Sequence, residues 1–247
     1  MLPVSRVGTT SIHGARNCAL TYLIQILSFV SALSFPLLQA NPFRHAKDPW
    51  AGLADHCKDA RPISGSEFLQ RQHKLAQALH ELNASAYIAE PGASAQFFGN
   101  VSSSSWTLSD RPLLLMISPV VQADRLMPKV TVLTPYFEEA HAKQLNVPGL
   151  AVTYVSWKDD EDPYVIGVKS ISPSTSLSRI YVDEMIRHFI VDGFQNAAPE
   201  AHVVLAPPEI TSLRSRKTLT ELALLQCANE VGQHLIRTLS VPQTKLH

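Results

Sequence analysis

Apolar positions along the chain change period several times, and each change marks an element. Phe68, Leu69, Leu75, Ala76, Leu79 and Leu82 recur at helical spacing. Ser64 and Glu67 form a capping-box pattern ahead of them, so an amphipathic helix is predicted from Ser66 to Leu82. Ala86 to Ala89 is a short apolar strand stopped by Glu90-Pro91-Gly92. Leu113 to Ile117 is continuously apolar, as in a strand buried on both faces. Val130–Leu133, the β-branched and aromatic Val152–Ser156, Ile180–Val182 and Val203–Leu205 read as further strands. Helical stretches at Tyr136–Leu145 and Glu184–Phe194 separate them. Strands alternating with helices predict an α/β layered sheet.

The two ends differ from this middle. Thr218 and Glu221 make a second capping box behind the basic Arg214, Arg216 and Lys217. A long helix follows from Leu219 to about Leu239, and a helix of that length needs a surface for its apolar stripe. At the other end, no Asp, Glu, Lys or Arg occurs from Asn17 to Phe43. Arg6 and Arg16 supply a basic flank, Cys18 to Phe29 an apolar run, and Val30-Ser31-Ala32 or Leu38-Gln39-Ala40 a cleavage tripeptide. A cleaved signal peptide, an uncleaved membrane anchor and a buried core helix are the three readings of residues 1–40. The first two send the rest of the chain into the secretory pathway, secreted or membrane-anchored. Residues 41–62, with Pro42, Pro49 and Pro62, form a linker.

Charge narrows the function classes. Lys+Arg and Asp+Glu are both 21, so the net charge is zero, which argues against a nucleic-acid binder. Charged residues are only 17% of the 247, consistent with one strongly apolar segment. Asn83-Ala84-Ser85 and Asn100-Val101-Ser102 are N-glycosylation sequons, which gain weight if the chain is secreted. The cysteines are Cys18, Cys57 and Cys227, and removal of the N-terminal segment leaves two. Those two are either a pair in an oxidising compartment or two unrelated thiols.

Candidate chemistry is sparse. The sequence holds no Cys-x-x-Cys, His-Glu-x-x-His, Gly-x-Ser-x-Gly or glycine-rich phosphate loop. Asp159-Asp160-Glu161-Asp162 lacks the alternating, glycine-punctuated layout of a calcium loop and reads as a solvated acidic turn. Glu138 and His141, three apart on a predicted helix, read as a surface pair, and His188 as a structural histidine. Phe97, Phe98 and Trp106 flank a serine loop at Ser102–Ser105. Core packing is one reading of these aromatics and the rim of a pocket is the other.

Three stretches carry a family resemblance. Phe97-Phe98-Gly99-Asn100 followed by Ser105-Trp106-Thr107-Leu108-Ser109-Asp110-Arg111-Pro112-Leu113-Leu114-Leu115 resembles the aromatic turn and "SERP"-like turn into a strand of creatinase, prolidase and aminopeptidase P N-terminal domains. Ile180 to Gly193 resembles a later strand-helix unit of that domain. Arg214 to Glu230 is similar to the "R-x-x-K-S-x-x-E" connector that leads to the catalytic domain in that family, and is the most specific of the three. The first departs most, with Phe-Phe-Gly-Asn in place of the usual tyrosine turn.

The resemblance, closest to secreted members with a cysteine in the connector, covers roughly Asp55 to Thr238. It implies a mixed sheet flanked by helices over residues 63–213, and a connector helix with a truncated tail over 214–247. It also implies a non-catalytic domain, which in full-length relatives helps select proline-containing peptides and contributes to dimerisation. The relatives' two divalent metal ions, such as Mn or Zn, are bound by two Asp, one His and two Glu of the catalytic domain. No residue here matches those ligands, so no catalytic residue, metal ligand or cofactor of this chain's own is expected. Expected partners are a second copy or a full-length peptidase paralogue, and an unrecognised small α/β enzyme is the remaining alternative. Finally, Cys57 before the first helix and Cys227 on the connector are expected to pair, stapling the connector helix to the domain.

Overall fold

The computed structural model describes residues 57–58, 60–171 and 177–239. The signal or anchor expected over residues 1–40 and most of the expected linker lie outside the described residues, as does the tail from residue 240. Among the described residues no helix is long and apolar enough to cross a membrane.

The elements follow in the order α1 Gly65–Glu81, β1 Ala86–Ala89, α2 Ala93–Gly99, β2 Leu114–Gln122 and β3 Arg125–Pro135. After a 3-10 turn at Tyr136–Glu138 come α3 Glu139–Gln144, β4 Val152–Trp157, α4 Pro163–Ile171, β5 Arg179–Val182 and α5 His188–Ala197. β6 His202–Leu205, α6 Pro208–Ser215 and α7 Leu219–Leu239 complete it. The six strands form one sheet in the order β4-β3-β2-β1-β5-β6. β2 pairs antiparallel with β1 and β3, and the other neighbours are parallel. The sheet is therefore mixed, with helices on both sides, as an α/β chain with one tight hairpin must be.

Alternation along the central strands sends side chains to two separate cores. Tyr87, Ala89, Leu115, Ile117 and Val132 pack with Leu75 and Leu79 of α1 and with Phe98. Ala86, Ile88, Leu114, Met116 and Ile180 pack with Phe194 and Ile190 of α5. This is why the Leu113–Ile117 run shows no period of two: both of its faces are covered.

Three helices were not expected from pattern. α2 holds Phe97 and Phe98, and its end is set by Asn100 at φ 58°. There the amide of Val101 reaches the carbonyl of Ala95 and that of Asn100 the carbonyl of Gln96, the left-handed closure that asparagine tolerates. α4 begins where the acidic turn ends. The Asp162 carboxylate accepts from the amides of Tyr164 and Val165, and Glu161 accepts from the amide of Lys158. The acidic run is a solvated turn whose last member caps a helix. α6 begins at a Pro-Pro pair. The helix expected from Glu184 starts only at His188, because the Glu90 carboxylate holds the amide and guanidinium of Arg187 and diverts the preceding turn.

α4 and α5 touch at Gly193, where a Cβ would lie 2.3 Å from Cδ2 and Cε2 of Tyr164. That ring is itself wedged edge-on against Phe194 at 5.4 Å. Gly193→Ala is expected to cost about 1–3 kcal/mol by overpacking. Urea unfolding checks this; a change below about 0.5 kcal/mol would mean that the tyrosine ring swings aside freely.

Candidate functional site

The richest polar cluster lies where the last helix leaves the domain. α7 opens with a complete capping box: the Thr218 amide donates to Glu221 Oε2 at 2.9 Å, and the Glu221 amide to Thr218 Oγ1 at 3.2 Å. α1 opens with half of one. Ser64 Oγ accepts from the Glu67 amide at 3.2 Å. Glu67 Oε1, however, accepts from Arg71 Nη2 at 2.6 Å and from Thr218 Oγ1 at 2.7 Å. Arg71 Nη2 also lies 3.4 Å from Glu221 Oε1, and Nη1 donates to the Phe97 carbonyl at 3.1 Å. Glu67, Arg71, Thr218 and Glu221 thus join the first turns of α1 and α7.

Arg71 is almost fully buried, with 7% of its side chain exposed. Its guanidinium sits over the Phe97 ring at 4.2 Å and near that of Phe68 at 5.3 Å. Burial pulls the Glu67 carboxyl upward, but hydrogen bonds from Thr218 and Arg71 and the charge of Arg71 outweigh it, holding the carboxyl below the usual glutamate value. The connector's other cations are positioned as well. Arg214 Nη2 donates to Glu184 at 2.9 Å, and Lys217 Nζ to the Arg214 carbonyl at 2.7 Å.

Beside this cluster is a cavity of about 380 Å³ between α1, α2 and the α6–α7 junction. Phe97 lines it, together with Phe68, Arg71, Gln96, Lys217 and Glu221. The other two expected rim aromatics belong to the core. Phe98 is 1% exposed and meets Tyr87 edge-on, while Trp106 is 4% exposed and stacks on His141 at 4.8 Å. Residues 93–99 coil into a helix, which turns Phe98 toward the sheet and leaves Phe97 beside the opening.

Cys57 and Cys227 are joined by a disulfide, with Cα atoms 5.2 Å apart across a separation of 170 residues. Asn83 and Asn100 are both exposed and both at positive φ. Asn100 also borders the cavity. No hydrogen bond or ion pair joins Glu138 to His141, whose ring stacks on Trp106. His188 bonds Asp192 at 2.9 Å on an exposed helix face.

A second polar cluster sits where β1 and β5 end. Tyr87 Oη and Ser94 Oγ both donate to Asp183 Oδ1, at 2.9 and 2.5 Å. Burial, and then the neighbouring Asp183 charge, push the Tyr87 phenol far above its ordinary value. Tyr87 is therefore held neutral, with its proton donated to Asp183. Among the described residues no three His, Cys, Asp or Glu side chains gather as a metal site would require. The described residues do not fit a dinuclear metal centre.

α7 presents a different kind of surface. Leu219 is 85% exposed, and Leu222, Leu225 and Ile236 lie open on the same helix. Four large apolar side chains on one exposed helix are an uncovered face.

No family model matches the chain. It is 31% identical over 222 residues to an uncharacterised peptidase of Schizosaccharomyces pombe, covering 88% of this chain and 47% of that protein. The chain thus spans about half the length of the curated relative it matches. Among solved structures it is similar to a prolidase of Thermococcus sibiricus, with 16% identity and a TM-score of 0.55 over 72% of this chain and 44% of that one. It is also similar to a dipeptidase of Mycobacterium ulcerans, with 18% identity and a TM-score of 0.50 over 66% of this chain and 40% of that one. At these identities the likeness to the solved structures is one of fold.

Proposed function

We propose that this domain, whose fold is that of creatinase and prolidase N-terminal domains, serves as a non-catalytic accessory domain to a metallopeptidase catalytic domain. α7 is the connector against which that catalytic domain packs. The observation that carries this reading is the set of leucines left open on the first turns of α7, next to a base fixed by the Glu67–Arg71–Thr218–Glu221 cluster. A helix whose root is rigidly held while its apolar side chains face water is built to receive another body. In that arrangement the domain caps an active-site mouth and contributes to dimer contacts. The disulfide and the two exposed sequon asparagines support a place in the secretory pathway.

Two results test it. The purified chain is expected to release no N-terminal residue from Xaa-Pro peptides with added Mn²⁺, Co²⁺ or Zn²⁺. Metal-dependent release that co-purifies with the chain would sink the reading in favour of a small α/β enzyme. The chain is also expected to self-associate at high concentration through α7. A Leu219→Ser/Leu222→Ser/Leu225→Ser variant should shift to monomer with unchanged unfolding midpoint. Light scattering that shows the unaltered chain as a stable monomer would count against an uncovered docking face. A full-length paralogue as docking partner remains the second form of the same proposal, separable by co-purification.

A further inference from the structure

Exposure along α7 follows a heptad. Leu219, Leu222, Gln226, Asn229, Gln233 and Ile236 are spaced alternately three and four residues apart, and all six are exposed. That spacing is the seam along which one helix packs against another. None of the charged or titratable side chains of α7 stands on it: Glu221, Glu230, His234 and Arg237 all lie to its sides. A helix face kept merely soluble has no reason to exclude charge from one stripe. The seam also matches itself when read from its two ends. Its outermost positions, Leu219 and Ile236, are aliphatic, and its two central ones, Gln226 and Asn229, are carboxamides.

We propose that α7 pairs along this seam with α7 of a second copy, antiparallel about a two-fold axis that passes between Cys227 and Ala228. The pairing rests on the reading of α7 as a docking helix and names its occupant. An isologous contact sets residue i against j and j against i. Here Leu219 meets the partner's Ile236, Leu222 meets the partner's Gln233, and Gln226 meets the partner's Asn229. Gln226 Nε2 is engaged by Glu230 at 2.9 Å, which leaves Oε1 to accept from Nδ2 of the partner's Asn229. The two-fold repeats that bond, and a polar pair within a seam fixes its register at some cost in stability. A parallel pair meets two obstacles. The first half of α7 is fastened to its own domain at Thr218, Glu221 and Cys227, so both domain bodies would crowd one end. Arg216 and Lys217 of the two copies would also converge, and the helix dipoles would align head to head. The antiparallel pair sets each body beside the free end of the other helix.

The test uses the full chain with its disulfide intact, in a concentration series followed by light scattering and sedimentation. Leu219 and Ile236 are about 25 Å apart along one helix, too far to meet within a chain. Leu219→Glu and Ile236→Lys are each expected to weaken dimerisation about tenfold, because each removes an aliphatic contact at both ends of the seam. Leu219→Glu/Ile236→Lys carries a Glu–Lys pair at each end of the antiparallel dimer. It is expected to dimerise about tenfold more tightly than either single variant at low salt and to lose that gain in concentrated salt. Unfolding midpoints measured at dilutions where every variant is monomeric should be unchanged, since both residues are exposed. A parallel pair sets Glu against Glu and Lys against Lys. A double variant no tighter than either single variant would therefore overturn the antiparallel pairing, and would leave α7 a docking face if the unaltered chain still associates. An unaltered chain that stays monomeric throughout would overturn the pairing and count against that face as well.

Discussion

Arg71→Met is expected to destabilise the domain by about 3–5 kcal/mol, the range seen when one member of a buried ion cluster is removed and its partners stay behind. Methionine keeps the aliphatic length against Phe68 and Phe97 but leaves Glu67 and Glu221 facing each other without a cation, and the Phe97 carbonyl without its donor. Arg71→Lys should recover little, because one ammonium cannot span two carboxylates and a carbonyl in the plane that the guanidinium uses. The pH dependence gives a second readout. Glu67 has a lowered folded pKa, so its contribution is complete above the ordinary glutamate pKa and is lost as pH falls through the lowered value. In Arg71→Met this acid-side loss should shrink, since the hydrogen bond and charge of Arg71 no longer add to the Thr218 hydrogen bond in lowering the pKa. Urea unfolding at neutral pH and at pH 3–4 measures both effects. A destabilisation below about 1 kcal/mol would show that the cluster is dispensable.

Loss of the disulfide is the other large effect. The Cys57→Ala/Cys227→Ala variant is expected to be less stable by up to about 5 kcal/mol, the chain-entropy value for a separation of 170 residues. The loss should be local as well as global. The capping cluster holds α7 at Thr218 and Glu221, and the disulfide holds it two turns later at Cys227. Without the second point, amides beyond Cys227 should exchange with solvent much faster, while those at the start of the helix keep their protection. Denaturation with and without a dithiol reductant, paired with amide exchange along α7, would check this. Unchanged exchange past Cys227 would mean that the helix is fixed by other contacts. Because both devices attach the same helix, the two variants combined should depart from additivity.

Legibility in the sequence followed the range of the interactions. β1 was readable to the residue at Ala86–Ala89 and α7 at Leu219–Leu239, because local periodicity and a reciprocal capping box define them. α2 was not, since Phe97-Phe98-Gly99 has no helical stripe and its end depends on Asn100 adopting positive φ. α4 was hidden behind an acidic run that hydropathy reads only as a turn, although Asp162 before Pro163 is a capping signal. Both capping boxes were visible from their spacing, yet the use of Glu67 was not. Its carboxylate abandons its own helix for a partner 151 residues away, and no local rule reports such a choice. The unpaired Nε of Arg71 was equally out of reach, because sequence alone places Arg71 as one more polar residue on an amphipathic helix.

The same separation has a consequence in time. During synthesis α1 leaves the ribosome long before the residues that complete its first turn. At about 5–20 residues per second, 151 residues take about 8–30 s, far longer than a helix or hairpin needs to form. Over that interval Arg71 has Glu67 but neither Thr218 nor Glu221. β1 meanwhile has β2 on one edge and an open edge where β5 will later pair in parallel. The nascent chain is thus expected to hold a half-built sheet with an uncovered strand and an under-neutralised arginine, a form that folding factors can grip. Chains stalled before residue 179 should be cut readily by protease, and those stalled beyond Leu239 should resist.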